Sequence, residues 1–431
     1  MDSPFLGECF SKASGALLER RNTPTFEREA CPLIVEVTAA IGVILSSFYL
    51  GYFLLMSMKA RGNKHLHGVS QKDYTPFVSV VVPTYNEEDT ILSKLEDLEK
   101  QDYPDMEIFV IDGASSDGTV RLAKKFSEES DLKVRLIEEK ERGGKASSLN
   151  KAFQLCTGEV VVMTDADAIW EKDTLRKAVS NFSDQKIGAV TGRQVLLNPD
   201  QNLATRVEKT YRNFYEVLRV GESVLDSTPI FHGEISCFRK SLIENLDECS
   251  MADDSELAVK IRKKGFRSIY DPNVVFYEHA PPTFKSRLVQ KLRRGQGLIQ
   301  MFLRERGILF NQKFENFGVL VFPAEFFMHV ISPALVLAFL VSFFFALLSI
   351  DWYLLIGLAF GGVVLFAVLT VAKGFVANLP LSFLNSQLIL LVSLVYQMLG
   401  RSQHKWAKVD EIRKLWKNDA HRAKCDSRED P

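Results

Sequence analysis

The chain has 431 residues, 46% apolar and 25% charged, a balance that excludes a disordered protein and fits about two or three domains with a sizeable core. Lys and Arg total 53 against 54 Asp and Glu, so no global basic field exists to hold nucleic acid. The six cysteines are scattered, with no C-x-x-C pair and no zinc-ligand spacing to histidine, and read as reduced structural residues.

In chain order, a polar, mixed-charge N-terminal segment (residues 1–36) leads into an uncharged run at 37–58. Further uncharged runs occupy 330–350, 352–372 and 374–400. A helix needs about 20 apolar residues to cross a hydrocarbon core about 30 Å thick. The stretch VISPALVLAFLVSFFFALLSI is apolar all round, which suits lipid better than the surface of a soluble domain. The expected organisation is an uncleaved anchor at 37–58, a polar domain at 60–280, amphipathic helices at 281–318, a membrane region of about three spans at 319–400 and a basic tail at 401–431.

Between the anchors, FVSVVVP (77–83), EIFVID (107–112), KVRLIE (133–138) and EVVVMTD (159–165) read as strands alternating with helix-like stretches. Short runs rich in Val and Ile are expected of strands covered on both faces by crossover helices, in an α/β domain with a mostly parallel sheet. Ligands bind such sheets at the carboxyl ends of the strands. There the chain carries PTYNEE (83–88), DGASSDGT (112–119) and DADA (165–168), three polar turns expected to converge on one acidic crevice. Each is an ordinary turn composition by itself; together they point to a site.

Asp165 and Asp167 lie two residues apart just past a Val-rich strand and are expected to approach one hard divalent ion, Mg2+ or Mn2+, with substrate phosphates completing its coordination. In GGKASSLNKA (143–152) the glycines permit close backbone approach and Lys145 is placed to hold a phosphate or a base carbonyl, ahead of a helix expected to begin near Ser147 or Ser148. Further on, MADDSELAVKIRKKGF (251–266) opens an amphipathic helix with Leu257, Val259 and Ile261 inward and Lys260, Arg262, Lys263 and Lys264 outward. Asp253 and Asp254 at its start suit helix capping and general-base catalysis equally well.

The ordered set VSVVVPTYNEE, IDGASSDGT, GGKASSLNKA, TDADA, HGEISCFRK, ADDSEL and QKLRR resembles membrane-bound family 2 glycosyltransferases, the group of cellulose, chitin and hyaluronan synthases and glucosylceramide synthase, over most of residues 76–300. The resemblance implies a Rossmann-like GT-A catalytic domain with a mostly parallel sheet, joined to α-helical transmembrane segments. It implies inverting transfer of a hexosyl or N-acetylhexosaminyl group from a nucleotide diphosphate sugar, expected to be a UDP-sugar. By position it implies that Thr84, Tyr85 and Glu87 line the nucleotide pocket, that Asp112 contacts the nucleoside, and that Lys145 sits near the base or diphosphate. Asp165 and Asp167 would hold nucleotide and metal, Asp254 would be the base with Asp253 beside it, and Gln290 and Arg293 would reach the diphosphate. Arg294 stands where the family pattern has Trp, so the acceptor is expected to differ; a guanidinium suits a lipid phosphate or an acidic sugar.

Two helical patterns bear on the bilayer. Leu203, Val207, Tyr211, Phe214 and Leu218 recur beside Arg206, Lys209, Arg212 and Arg219, and Leu288, Leu292, Leu298, Ile299 and Phe302 recur among Lys285, Arg287, Lys291 and Arg304. They suit the headgroup layer of anionic lipid, or packing on the catalytic domain. A cytosolic catalytic domain in the plasma membrane is expected. Three later crossings would place the basic tail outside, against the positive-inside tendency, so one run is expected to be interfacial or re-entrant, with Gly318–His329 an irregular start. The resulting reading is a metal-dependent enzyme that glycosylates a membrane lipid or lipid-linked glycan. A processive polysaccharide synthase and a non-catalytic sugar-nucleotide-binding scaffold are the alternatives.

Overall fold

The computed structural model describes residues 25–62, 74–348 and 375–400, with isolated helical positions at 357, 360–362 and 415. The expected span at 352–372 and tail at 401–431 lie essentially outside the described residues, as does most of the 1–36 segment.

Helix α1 (Thr25–Gly62) is followed by strand β1 (Val78–Thr84), α2 (Ile91–Glu99), β2 (Met106–Asp112), α3 (Thr119–Glu129), β3 (Lys133–Glu138), α4 (Lys145–Leu155) and β4 (Val160–Met163). Then come β5 (Ile169–Trp170), α5 (Thr174–Ser180), β6 (Ile187–Leu196), α6 (Leu203–Leu225), β7 (Ser236–Arg239), α7 (Asp253–Lys263), β8 (Arg267–Glu278), α8 (Phe284–Arg304), α9 (Ser332–Leu348) and α10 (Phe375–Met398). Among the described residues eight strands form one sheet in the order β3-β2-β1-β4-β7-β6-β8-β5. β1 runs parallel to β2 and β4, and β2 to β3; β7 enters antiparallel between β4 and β6. The sheet is therefore mixed, with parallel pairs predominating.

Alternation along the inner strands divides the core in two. Val78, Val80, Val82, Ile108, Val110, Val160 and Val162 face one layer, with Ile91, Leu95 and Leu98 of α2 and Ala123 and Phe126 of α3. Val81, Phe109, Ile111, Val161 and Met163 face the other, against Leu149 and Phe153 of α4 and Leu257 and Ile261 of α7. Each such fully buried side chain contributes about 1.5–3 kcal/mol over exposure. β3 differs from expectation: its side chains are at most half buried, because it is the edge strand and has a neighbour on one side alone.

Residues 50–333 together with 369–431 form one compact unit, and residues 1–49 with 334–368 a second. In the first, α6 and α8 each open with a capping box, Asn202 with Thr205 and Thr283 with Ser286. Both helices meet α10 through small residues: Ser382 Oγ donates to the Val207 carbonyl at 3.2 Å and Ser393 Oγ to that of Leu292 at 3.2 Å. The basic side chains expected to face lipid turn inward in part. Arg287 and Lys291 of α8 and Arg212 of α6 all pair with the buried Glu208, at 2.7, 2.9 and 3.1 Å. Arg262, expected outward, is likewise buried on Asp226 at 2.8 Å.

Among the described residues, three helical stretches are long and apolar enough to cross a membrane: Pro32–Gly62, Phe317–Leu348 and Asn378–Met398. The first helix begins at Thr25 rather than near residue 37, because the polar flank continues the helical backbone beyond the apolar run. The second starts irregularly, with π-helical turns at Phe317–Val321 and Phe327–Ile331 on either side of Pro323. In the second unit, Gly42 of α1 approaches Phe339 of α9 so closely that a Cβ there would lie 3.2 Å from the ring.

Candidate active site

Thr84 and Asp112 end β1 and β2 in register. The buried Asp112 carboxylate accepts hydrogen bonds from Thr84 Oγ1 (3.1 Å), the Ser115 backbone N–H (2.8 Å) and Ser115 Oγ (2.5 Å), so its own turn fixes it. Tyr85 lies under the Arg142 guanidinium, 3.7 Å from ring centre. Thr84, Tyr85, Arg142 and Lys145 line one recess. Glu87 is turned inward: it is 1% exposed and accepts from Thr90 Oγ1 at 2.8 Å, tying the loop to the start of α2.

Lys145 is the first residue of α4, ahead of the expected Ser147, because Gly144 takes φ +95°, a conformation glycine adopts without steric cost, and the helix begins directly after it. Its ammonium meets Asp165 at 2.8 Å and Asp253 at 3.3 Å. Burial opposes that charge, but Asp165 and Asp253 outweigh it and hold the Lys145 pKa above its usual value. Lys145, Asp165, Asp253, Asp254, Arg293 and Arg294 line a second cavity of about 140 Å3. Gln290 is not among the residues lining it. Asp167 faces a third recess, with Asp89, Ser93 and Lys94.

The single acidic crevice expected from the sequence is thus three adjoining recesses. β4 ends at Met163 and a turn at Ala166–Asp167 follows, so Asp165 lines the second recess and Asp167 the third, while the charges of both carboxylates still act on Arg293 and Lys94. Lys145 lines both the first and the second recess. Among the described residues no three His, Cys, Asp or Glu side chains are arranged to hold a metal by themselves. Two hard carboxylates completed by phosphate and water fit Mg2+ or Mn2+, and the half-exposed Asp167 suits that role.

At the amino end of α7, burial and the neighbouring Asp253 charge push the Asp254 carboxyl up to about 7, against the pull of Lys145. The N-cap residue Ala252 supplies no side-chain cap, but Asp254 Oδ1 accepts the Ser255 backbone N–H at 2.6 Å, so this acid also satisfies a first-turn donor, in keeping with the capping expectation. Arg294 donates to Glu234 at 2.5 Å and lies 3.9 Å from Glu278, so much of its charge is already compensated within the protein.

The turn His232-Gly233-Glu234 ties these groups together. Nothing in the sequence assigns its residues individual roles, although HGEISCFRK stands out there. A Cβ on Gly233 would lie 3.1 Å from Asp165 Oδ2 and 3.2 Å from Lys145 Nζ. His232 accepts a hydrogen bond from Arg219, and Glu234 from Arg294. Burial and the Arg219 charge keep the His232 pKa well below its ordinary value, so the imidazole is neutral. Lys94 is equally unannounced: its buried ammonium donates to the Ala168 carbonyl at 3.0 Å, pairs with Asp97 at 3.2 Å and sits 3.9 Å over the Trp170 ring, bracing the Asp165–Ala168 loop.

This arrangement has counterparts. Residues 79–247 match the family described as Glycosyl transferase family 2. The solved mannosyltransferase PcManGT from Pyrobaculum calidifontis, in complex with GDP-Man and Mn2+, superposes with a TM-score of 0.71 at 32% identity, covering 84% of this chain and 99% of that one. "Probable glycosyltransferase YdaM" of Bacillus subtilis (strain 168) is 30% identical over 290 residues, 63% of this chain and 68% of that protein. The poly-beta-1,6-N-acetyl-D-glucosamine synthase of Staphylococcus aureus (strain MSSA476) is 27% identical over 232 residues, 53% of this chain, and the match spans a little over half (56%) of the synthase. Fold and site define an enzyme with a GT-A domain and helices able to span a membrane. The chain belongs to glycosyltransferase family 2.

Proposed function

We propose that the chain is a membrane-embedded, inverting glycosyltransferase that moves a sugar from a nucleotide diphosphate donor to a hydroxyl of a membrane-associated acceptor. The observation that carries this reading is the placement of the Asp254 carboxyl, with its pKa raised to about 7, in one cavity with Lys145, Asp165 and Arg293. A base poised near neutrality can take a hydroxyl proton at working pH. In that role Asp254 removes the proton, the acceptor oxygen bonds to the anomeric carbon, and the bond from that carbon to the diphosphate breaks with its electron pair leaving on phosphate. Lys145 and Arg293 receive the charge that accumulates there. Asp253 holds Lys145 in place, and Thr84, Tyr85 and Asp112 border the nucleoside end.

Asp165 and Asp167 are the residues that would hold Mg2+ or Mn2+, which when bound neutralises diphosphate charge. The Pyrobaculum enzyme's complex with GDP-Man and Mn2+ supports a divalent ion and a nucleotide diphosphate sugar. The expected UDP donor and cytosolic catalytic face in a plasma membrane belong to the same proposal. The test is Asp254→Asn: transfer falls by about 10²- to 10⁴-fold while nucleotide binding persists. Transfer at the parental rate with intact binding would remove Asp254 as base.

The S. aureus relative is a polymer synthase by name, which keeps processive synthesis as a second reading. Sizing products from a radiolabelled donor separates the two: single transfer gives one short product, a processive enzyme a ladder.

A further inference from the structure

The cavity that holds Asp254 continues past the His232-Gly233-Glu234 turn to α6, α8 and α10. Its cations there are matched unevenly. Arg212 and Lys291 pair with Glu208, and Arg294 with Glu234. Arg219 is different: it lines the cavity, is 8% exposed, and among the described residues has no carboxylate at ion-pair distance. Its Nε has no hydrogen-bond acceptor, and among the described residues its one hydrogen-bond partner is the neutral His232. Of the acids that act on it from farther off, Glu216 pairs with Arg193 at 3.1 Å, and Glu325, next to the His329 ring, lies beyond ion-pair distance of Arg219. A buried guanidinium left in this state is costly unless an anion completes it. The same cavity is also lined by Leu298 of α8 and by Ile389 and Leu390 of α10, a helix long and apolar enough to cross a membrane.

We propose that Arg219 is the acceptor's anion-binding residue and that the acceptor is a phosphate-bearing lipid whose reacting hydroxyl lies close to its phosphate. The proposal rests on the glycosyltransferase reading above and names the acceptor class for that same site. The turn links the donor end of the cavity to Arg219. Gly233 borders the Asp165 and Lys145 pair while His232, the preceding residue, holds Arg219, and consecutive Cα atoms are about 3.8 Å apart. Asp254 and Arg219 line one cavity of about 140 Å3, so a hydroxyl delivered to Asp254 has its phosphate within the same cavity on Arg219, and its acyl chains leave along α10. Proton, sugar and diphosphate move as already described; the lipid phosphate forms and breaks no bond.

The experiment uses the purified full chain in detergent micelles with three acceptors: phosphatidylglycerol, diacylglycerol, which offers a hydroxyl without phosphate, and glycerol phosphate, which offers the headgroup without lipid. Phosphatidylglycerol is expected to be used with a KM at least about tenfold below the other two. Arg219→Gln raises that KM by about ten- to a hundredfold, Arg219→Lys recovers part of it, and donor affinity and acceptor-independent donor hydrolysis stay at the parental level. Equal use of diacylglycerol overturns the anion site. Equal use of glycerol phosphate, or a preference for an acidic glycan, overturns the lipid source. A rise in donor KM in Arg219→Gln assigns the residue to the donor diphosphate and overturns the proposal. Donor hydrolysis by the parental chain reports on the glycosyltransferase reading separately, so the two can fail independently.

Discussion

Asp254 owes its protonation behaviour to two neighbours that oppose one another. Burial and Asp253 raise its pKa to about 7 and Lys145 lowers it. The base is competent when deprotonated, so kcat/KM should rise with pH through about 7 and level above it. Asp253→Asn removes the like charge, lowers the Asp254 pKa and moves the acidic limb of the profile to lower pH. An unmoved limb in that variant would show that the limb belongs to another group. The sequence places the two acids side by side but leaves capping and catalysis balanced; Asp254 accepts the Ser255 backbone N–H as a first-turn acid does, and it is its burial in the fold, which no local pattern announces, that adds the raised pKa. Arg219 is legible only as one more cation on an amphipathic face, because nothing local reveals that its neighbours on that face find carboxylates and it does not.

At the scale of elements, two joints are open to direct test. Glu208 of α6 serves three cations, two of them on α8, so Glu208→Gln leaves Arg212, Arg287 and Lys291 without their shared counter-charge. Removing one partner of a buried pair typically costs about 3–5 kcal/mol, and a clear fall in thermal midpoint in detergent is expected. Gly221 of α6 packs so tightly on α1 that a Cβ would lie 2.4 Å from the Met56 carbonyl oxygen. Gly221→Val must push the helices apart and should destabilise by about 1–3 kcal/mol in the same measurement. Strands β1, β2 and β4 are readable because runs of Val and Ile buried on both faces leave a continuous apolar signal. β5 has two residues, β7 four, and β8 mixes charged and apolar side chains, so their pairing is set by the sheet they join and not by their own composition.

For the whole molecule, the metal expectation is the most accessible. Chelation with EDTA should abolish transfer and Mn2+ or Mg2+ restore it, with Asp167→Ala raising the metal concentration needed; transfer that survives exhaustive chelation would remove the divalent ion from the proposal. The apolar runs announce the membrane helices because length and hydropathy act locally. How the amphipathic stretches are used is not announced, since lipid contact and protein contact select the same periodicity; Glu208, a single buried acid, turns part of that basic surface inward.

In the 232–234 turn His232 holds Arg219, Glu234 holds Arg294, and Gly233 between them leaves space beside Asp165 and Lys145, so donor and acceptor ends are held in step by covalent bonds. An insertion there would disturb all three at once, whereas Arg219 and Arg294 hang from helices and can change alone. Laboratory evolution toward new acceptors should therefore accumulate substitutions on those helices and leave the tripeptide untouched.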